Sequence, residues 1–156
     1  MIRSLRFGIL ALALAGLVST VGPATVSAHA FSGCVTQAPV QKDGWGTRYA
    51  FGQRLTIHVW LIEQECAGNG DYWTYRRGMD IRFPNGGGYN ASSLQIHGRS
   101  WVCGSKKFDS WRSAANTFSV GLDDGQGPYF GCASQTDASF YVSDSQFSSW
   151  SYYLSF

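Results

Sequence analysis

The chain has 156 residues, 44% hydrophobic and 15% aromatic, with 12 Lys plus Arg against 10 Asp plus Glu. So even a balance, with no basic cluster longer than the pairs Arg76-Arg77 and Lys106-Lys107, excludes nucleic acid or anionic lipid as a default partner, because no broad positive field faces their phosphates. The length fits one domain behind a short leader.

The leader is expected over residues 1–28. Arg3 and Arg6 precede the apolar run "FGILALALAGLV", Phe7 to Val18. A charged start, a short apolar stretch and small residues describe a secretory signal peptide. The run has 12 residues, whereas a membrane-spanning helix needs about 20, so no stable membrane anchor is expected. Both Val26-Ser27-Ala28 and Ala28-His29-Ala30 suit signal peptidase. The cut after Ala28 is the preferred reading and gives a secreted, monomeric domain, 29–156, that begins with His29. Loss of Arg3 and Arg6 leaves ten basic against ten acidic residues.

Two-residue alternation dominates the remainder. In "RLTIHVWLIEQE" Leu55, Ile57, Val59 and Leu61 share one face, opposite Thr56, His58, Trp60 and Ile62. Met79, Ile81 and Phe83 alternate with Asp80 and Arg82; Leu94 and Ile96 are in phase before Gly98; Phe118, Val120 and Leu122 follow. The closing "WSYYLSF" aligns Trp150, Tyr152, Leu154 and Phe156. Such segments, punctuated by Gly-rich turns, predict antiparallel strands. "QKDGWG", "CAGNGDY", "FPNGGGYN" and "LDDGQGPY" are expected as those turns, and "KKFDSWRSAA" and "SDSQFSS" as the only stretches suited to a helical turn. The predicted architecture is all-β: a single-domain antiparallel β-sandwich, immunoglobulin-like or jelly-roll-like, of about eight strands. The tyrosine corner of an immunoglobulin domain is not matched, since Phe130 stands two residues before Cys132.

Cys34, Cys66, Cys103 and Cys132 predict two disulfides in a secreted chain. Spacing leaves three connectivities open; Cys34–Cys66 with Cys103–Cys132 is favoured because each closes a loop of similar length. Zinc is disfavoured, as no C-x-x-C pair occurs.

Three functions of different classes compete. The first is a non-catalytic extracellular binding module for carbohydrate, whose C–H faces stack on exposed aromatic rings. Trp45, Trp73 and Trp111, with Tyr72, are the candidate contacts because they fall in expected turns. The second is copper or redox chemistry. "SAHAF" resembles in local character the processed start of secreted histidine-brace copper proteins, which implies His29 as a copper ligand; a second imidazole would have to come from His58 or His97, the only other histidines. The third is a secreted inhibitor or antagonist acting through "CGSKKFDSW". Catalysis is not expected: Glu65, Arg82 and His97 are the right types for RNA cleavage, but the chain lacks a basic surface and a helix to pack the sheet, and for serine chemistry no G-x-S-x-G elbow occurs. Asn90-Ala91-Ser92 fits a glycosylation acceptor.

Overall fold

The computed structural model describes residues 34–36, 38–68, 71–129 and 134–156, with side chains for 38–65, 74–124 and 134–156. All belong to the compact unit Phe31–Phe156. The described residues form nine strands: β1 Cys34–Thr36, β2 Val40–Ala50, β3 Gln53–Gly68, β4 Asp71–Arg82, β5 Ser93–Val102, β6 Ser105–Ala114, β7 Ser119–Tyr129, β8 Ser134–Asp144 and β9 Ser148–Ser155. They form two antiparallel sheets, and no helix occurs among the described residues.

In sheet one, β1 and β2 lie end to end along the same edge of β3, with Thr36 opposite Cys66 and Val40 opposite Glu63. Pro39, which has no N–H for the ladder, lies in the gap between them. β4 and β7 complete that sheet, and sheet two runs β6-β5-β8-β9. The chain crosses between sheets after β4, β6 and β7.

The alternation read from the sequence maps onto the interior. Leu55, Ile57, Val59, Leu61, Met79, Ile81 and Val120 of sheet one face Leu94, Ile96, Ala138, Phe140 and Val142 of sheet two. The punctuation maps less well. "DGWG" lies inside β2 and all of "LDDGQGPY" inside β7, while "KKFDSWRSA" belongs to strand β6. Gly44 and Gly46 are strand residues because the rings of Tyr152 and Trp150 from β9 occupy the space a side chain would need: a Cβ there would meet them at 2.4 and 2.7 Å.

The tight hairpins fall instead at Phe51-Gly52 and Cys103-Gly104, whose φ angles are all positive (51°, 70°, 53° and 72°). Two consecutive left-handed residues are what a two-residue type I′ hairpin requires. Phe and Cys are unusual at the first position, so neither turn was legible in the sequence. "FPNGGGYN" does turn, through Phe83 N–H to Gly87 O (2.8 Å) and Gly86 N–H to Phe83 O (2.9 Å). It carries the chain between sheets rather than closing a hairpin. Asp144 fastens this crossover by accepting from the Tyr89 hydroxyl (2.8 Å), the Ser92 N–H (2.9 Å) and the Gln146 N–H (2.8 Å). Burial raises the Asp144 carboxyl, but these donors outweigh it and hold it below the ordinary range.

A polar layer interrupts the apolar interior. Arg77 shares the inward face of β4 with Met79 and Ile81, and it is 1% exposed. Its Nη1 donates to Asp124 Oδ1 at 2.8 Å; its Nη2 donates to Ser100 Oγ (2.8 Å) and Thr136 Oγ1 (2.6 Å). Nε donates to the Asp137 carbonyl at 3.2 Å. The guanidinium lies against Gly98, where a Cβ would come within 2.8 Å of Nε. Sheet one therefore supplies the ion pair, and sheet two supplies hydroxyls, carbonyls and the space.

Removing one member of a buried pair leaves its partner's charge poorly compensated. Arg77→Met is expected to lower the unfolding free energy by about 3–5 kcal/mol, and Arg77→Met with Asp124→Leu to recover most of it. Urea denaturation checks both, and a single variant within about 1 kcal/mol of wild type would contradict the assignment.

Candidate functional site

Outward-facing positions carry a second set of aromatic and titratable groups. On sheet two the register sets Trp111 of β6 directly opposite His97 of β5, and Asp109 opposite Arg99. The Trp111 and His97 rings stack with centroids 4.2 Å apart and planes 3° apart. His97 Nε2 lies 2.7 Å from Asp109 Oδ1, and Lys106 Nζ donates to Asp109 Oδ2 at 2.6 Å. The Lys106 and then the His97 hydrogen bonds hold the Asp109 carboxyl down at about 2. Trp111 is thereby fixed while remaining 55% exposed.

Tyr141 of β8 extends the aromatic surface, its centroid 5.7 Å from that of Trp111 at an interplanar angle of 27°. It also lines a pocket of about 500 Å³ with Arg48, Gln95, Ser143, Ser149 and Ser151. Serine at alternate outward positions keeps that part of the sheet low, so a flat ligand can approach the strands. Beside it, Arg99 makes two bonds to Asp137 (2.9 and 2.8 Å), whose Oδ2 also accepts from Tyr153 at 3.2 Å. This face offers ring stacking next to hydroxyl, amide and guanidinium groups.

On sheet one, Trp45 of β2 stands opposite His58 of β3. Their rings stack at 3.9 Å and 12°, and His58 Nε2 is 2.7 Å from Asp43 Oδ1. Asp80 Oδ2 lies 3.8 Å from Nδ1. Partial burial raises the Asp43 carboxyl, but hydrogen bonds from His58 and Gln41 outweigh it and hold it below the usual range. Trp45 is 61% exposed.

Trp45 and Trp111, expected in turns, instead occupy the interiors of edge strands. They are exposed because each edge strand turns one face away from the core. Tyr72 and Trp73 begin β4; their side chains lie outside the described set, as do His29 and Cys132 altogether. His58 and His97 stand on the outer faces of opposite sheets, each with Nε2 on an aspartate, so they do not converge on one ion. No group of three or more His, Cys, Asp and Glu among the described residues could hold a metal. Glu65 and Arg82 are also kept apart: Glu65 pairs with Trp73 and Arg82 with Thr56, at opposite ends of the β3–β4 ladder. His97 is on the other sheet. Glu63 and Glu65 are in phase on β3; burial and then the Glu65 charge raise the Glu63 carboxyl, with Lys42 opposing.

Tyr141, Gln95 and the serine rows escaped sequence reasoning, because they meet only through the β5–β8–β9 register. The sole local sign was alternation in "SFYVS" and "SSWS".

The Asp109 contact has a defined pH window. Its folded pKa lies below the ordinary 3.8, so its contribution is present above that value and is lost as pH falls through about 2. Lys106→Ala should move the Asp109 titration upward, as followed by carboxyl-carbon NMR between about pH 5 and 2; an unmoved titration would contradict the contact. Comparison with known proteins adds no relative: no protein-family model matches the chain, and neither do any curated protein or solved structure.

Proposed function

We propose that this chain is a secreted, non-catalytic binding module that takes carbohydrate on the outer face of sheet two. One observation carries the reading: the Trp111–Tyr141 surface is exposed and continuous with the pocket lined by Gln95, Ser143, Ser149 and Ser151. A pyranose ring has an apolar C–H face and a rim of hydroxyls. Stacking on the indole and phenol satisfies the first, and the amide, serines and Arg48 satisfy the second. Pockets that pair aromatic walls with a few convergent polar groups suit small polar ligands. The His97–Asp109 clamp supports the reading further, because a ring already held in place loses little freedom on binding.

Secretion and the two disulfides belong to the same proposal. The signal-like residues 1–28 support export, with His29 the expected first residue. For Cys34–Cys66 the backbone register brings the two cysteines onto adjacent strands, two residues out of direct opposition, so the bridge requires a local shift of the ladder. Cys103 occupies a hairpin turn, and pairing it with Cys132 would tie that turn to the start of β8.

Affinity electrophoresis against a panel of neutral soluble polysaccharides tests the ligand. Trp111→Ala and Tyr141→Ala should each weaken binding at this face, read from the sugar-induced shifts of the His97 and Gln95 NMR signals, by about tenfold or more, equivalent to about 1.4 kcal/mol, while the melting temperature stays near that of wild type. Binding at this face by Trp111→Ala as tight as wild type, or no retardation by any polysaccharide, would refute the site. Intact mass of the exported protein should show a start at His29 and a value about 4 Da below the reduced chain; a start at Met1 or a fully reduced mass would refute the export reading.

A further inference from the structure

We infer that the protein carries a second carbohydrate shelf, built on the same plan, on the outer face of sheet one, and that it therefore binds two glycan segments at once. The inference rests on the reading above that aromatic shelves of this fold take sugar. In each sheet an edge strand supplies Asp-x-Trp: Asp43-Gly44-Trp45 in β2 and Asp109-Ser110-Trp111 in β6. Each Trp pairs in register with a histidine, His58 or His97, and each Asp pairs with the residue two beyond that histidine, Trp60 or Arg99. The Nε2–Oδ1 distance is 2.7 Å in both, the ring centroids are 3.9 and 4.2 Å apart, and the planes agree within 12° and 3°. The two indoles are 61% and 55% exposed.

The two copies are assembled in opposite chain order. In sheet one the Asp-x-Trp strand precedes its histidine strand; in sheet two it follows. A copied hairpin would keep the order, so the shared geometry is not the residue of a tandem repeat. The core does not require it either, since it uses the other face of each strand. Two large indoles held rigidly in water, each by a histidine that an aspartate orients, are best accounted for by a planar ligand face that stacks on them.

The sheet-one shelf is the longer and more apolar. Trp60 lies flat on β4, where a Cβ at Gly78 would meet its ring at 1.9 Å, and its centroid is 5.2 Å from that of His58. Trp45, His58 and Trp60 thus make a strip across β2, β3 and β4. Thr47 and Thr56, paired in register beside it, supply hydroxyls. Tyr49, 65% exposed, lies on the same face of β2, four residues and about 13 Å from Trp45. That reach exceeds one sugar ring. Where sheet two has Arg99 bonded to Asp137, sheet one has Trp60, so the ligand class is a neutral polymer of pyranoses with equatorial hydroxyls, whose ring faces present axial C–H groups. The shelves face away from each other, so each must take its own segment.

Calorimetric titration with a soluble β-1,4-linked glucan hexasaccharide tests this on wild type, Trp45→Ala, Trp111→Ala and the double variant. Wild type should bind two equivalents, each single variant one, and the double variant none. Wild type should also raise light scattering with a long soluble β-1,4-glucan, and neither single variant should. Trp45→Phe, which keeps a ring on His58, should retain the second site with weaker affinity and guards against loss of folding in the alanine variant. If folded Trp45→Ala keeps wild-type stoichiometry and scattering, the second shelf is refuted while the sheet-two site stands. If wild type binds no hexasaccharide at all, the carbohydrate reading and this inference fail together.

Discussion

The guanidinium of Arg77 is the constraint to which both sheets answer. Inside a sandwich, desolvating a cation costs far more than burying a leucine contributes. The cost is offset only when each donor direction meets an acceptor. Here β7 supplies Asp124, β5 supplies Ser100, and β8 supplies Thr136 and the Asp137 carbonyl. Gly98 supplies the space. Four strands from two sheets must therefore hold one mutual register at this level. Apolar layers alone would tolerate sliding by two residues, since every second position is hydrophobic; the polar layer does not. Specificity is the role best suited to such a group, because a well-packed apolar substitute is often as stable.

That register also sets the outer surface. Because Arg77 fixes β4 against β5 and β8, the strands flanking them present fixed rows of side chains on the solvent side. The Trp–His–Asp clusters are consequences of cross-strand pairing at those positions. Their rigidity comes from the ladder and from the aspartates, and the interior bears the energetic cost of holding the ladder in place. Core and site thus occupy opposite faces of the same strands, and a change on one need not disturb the chemistry of the other.

The sequence made the sheet faces legible wherever alternation was uninterrupted. Leu55, Ile57, Val59 and Leu61, and likewise Leu94 and Ile96, were assigned to the interior from period alone, and they are fully buried. Arg77 was read as half of a basic pair, although extending the alternation back from Ile81 and Met79 puts it in the inward row. Charge identity outweighed phase, and phase was the better guide. Glycine misled in the same way. At Gly44, Gly46 and Gly98 it makes room for a large group from the opposite sheet, which no local window reveals. The two-residue hairpins set Phe51 before Gly52 and Cys103 before Gly104 at positive φ, and the first residue of each has no turn propensity. The site was legible in its indoles and illegible in Tyr141, Gln95 and the serines, which come together only through pairings between strands distant in sequence.

The filling of Gly44 and Gly46 by Tyr152 and Trp150 has a kinetic side. β2 is the first long strand and β9 the last, and Lys42 also reaches the Ser155 carbonyl at 2.6 Å across 113 residues. The inward face of β2 is therefore finished by groups made at the other end of the chain. Contacts of such long sequence separation close late and slow the search for the native state. During synthesis an early segment with an exposed edge must wait for the final strand before its interior side is covered. In a chain of this design the interior side of β2 is covered only once the final strand is in place.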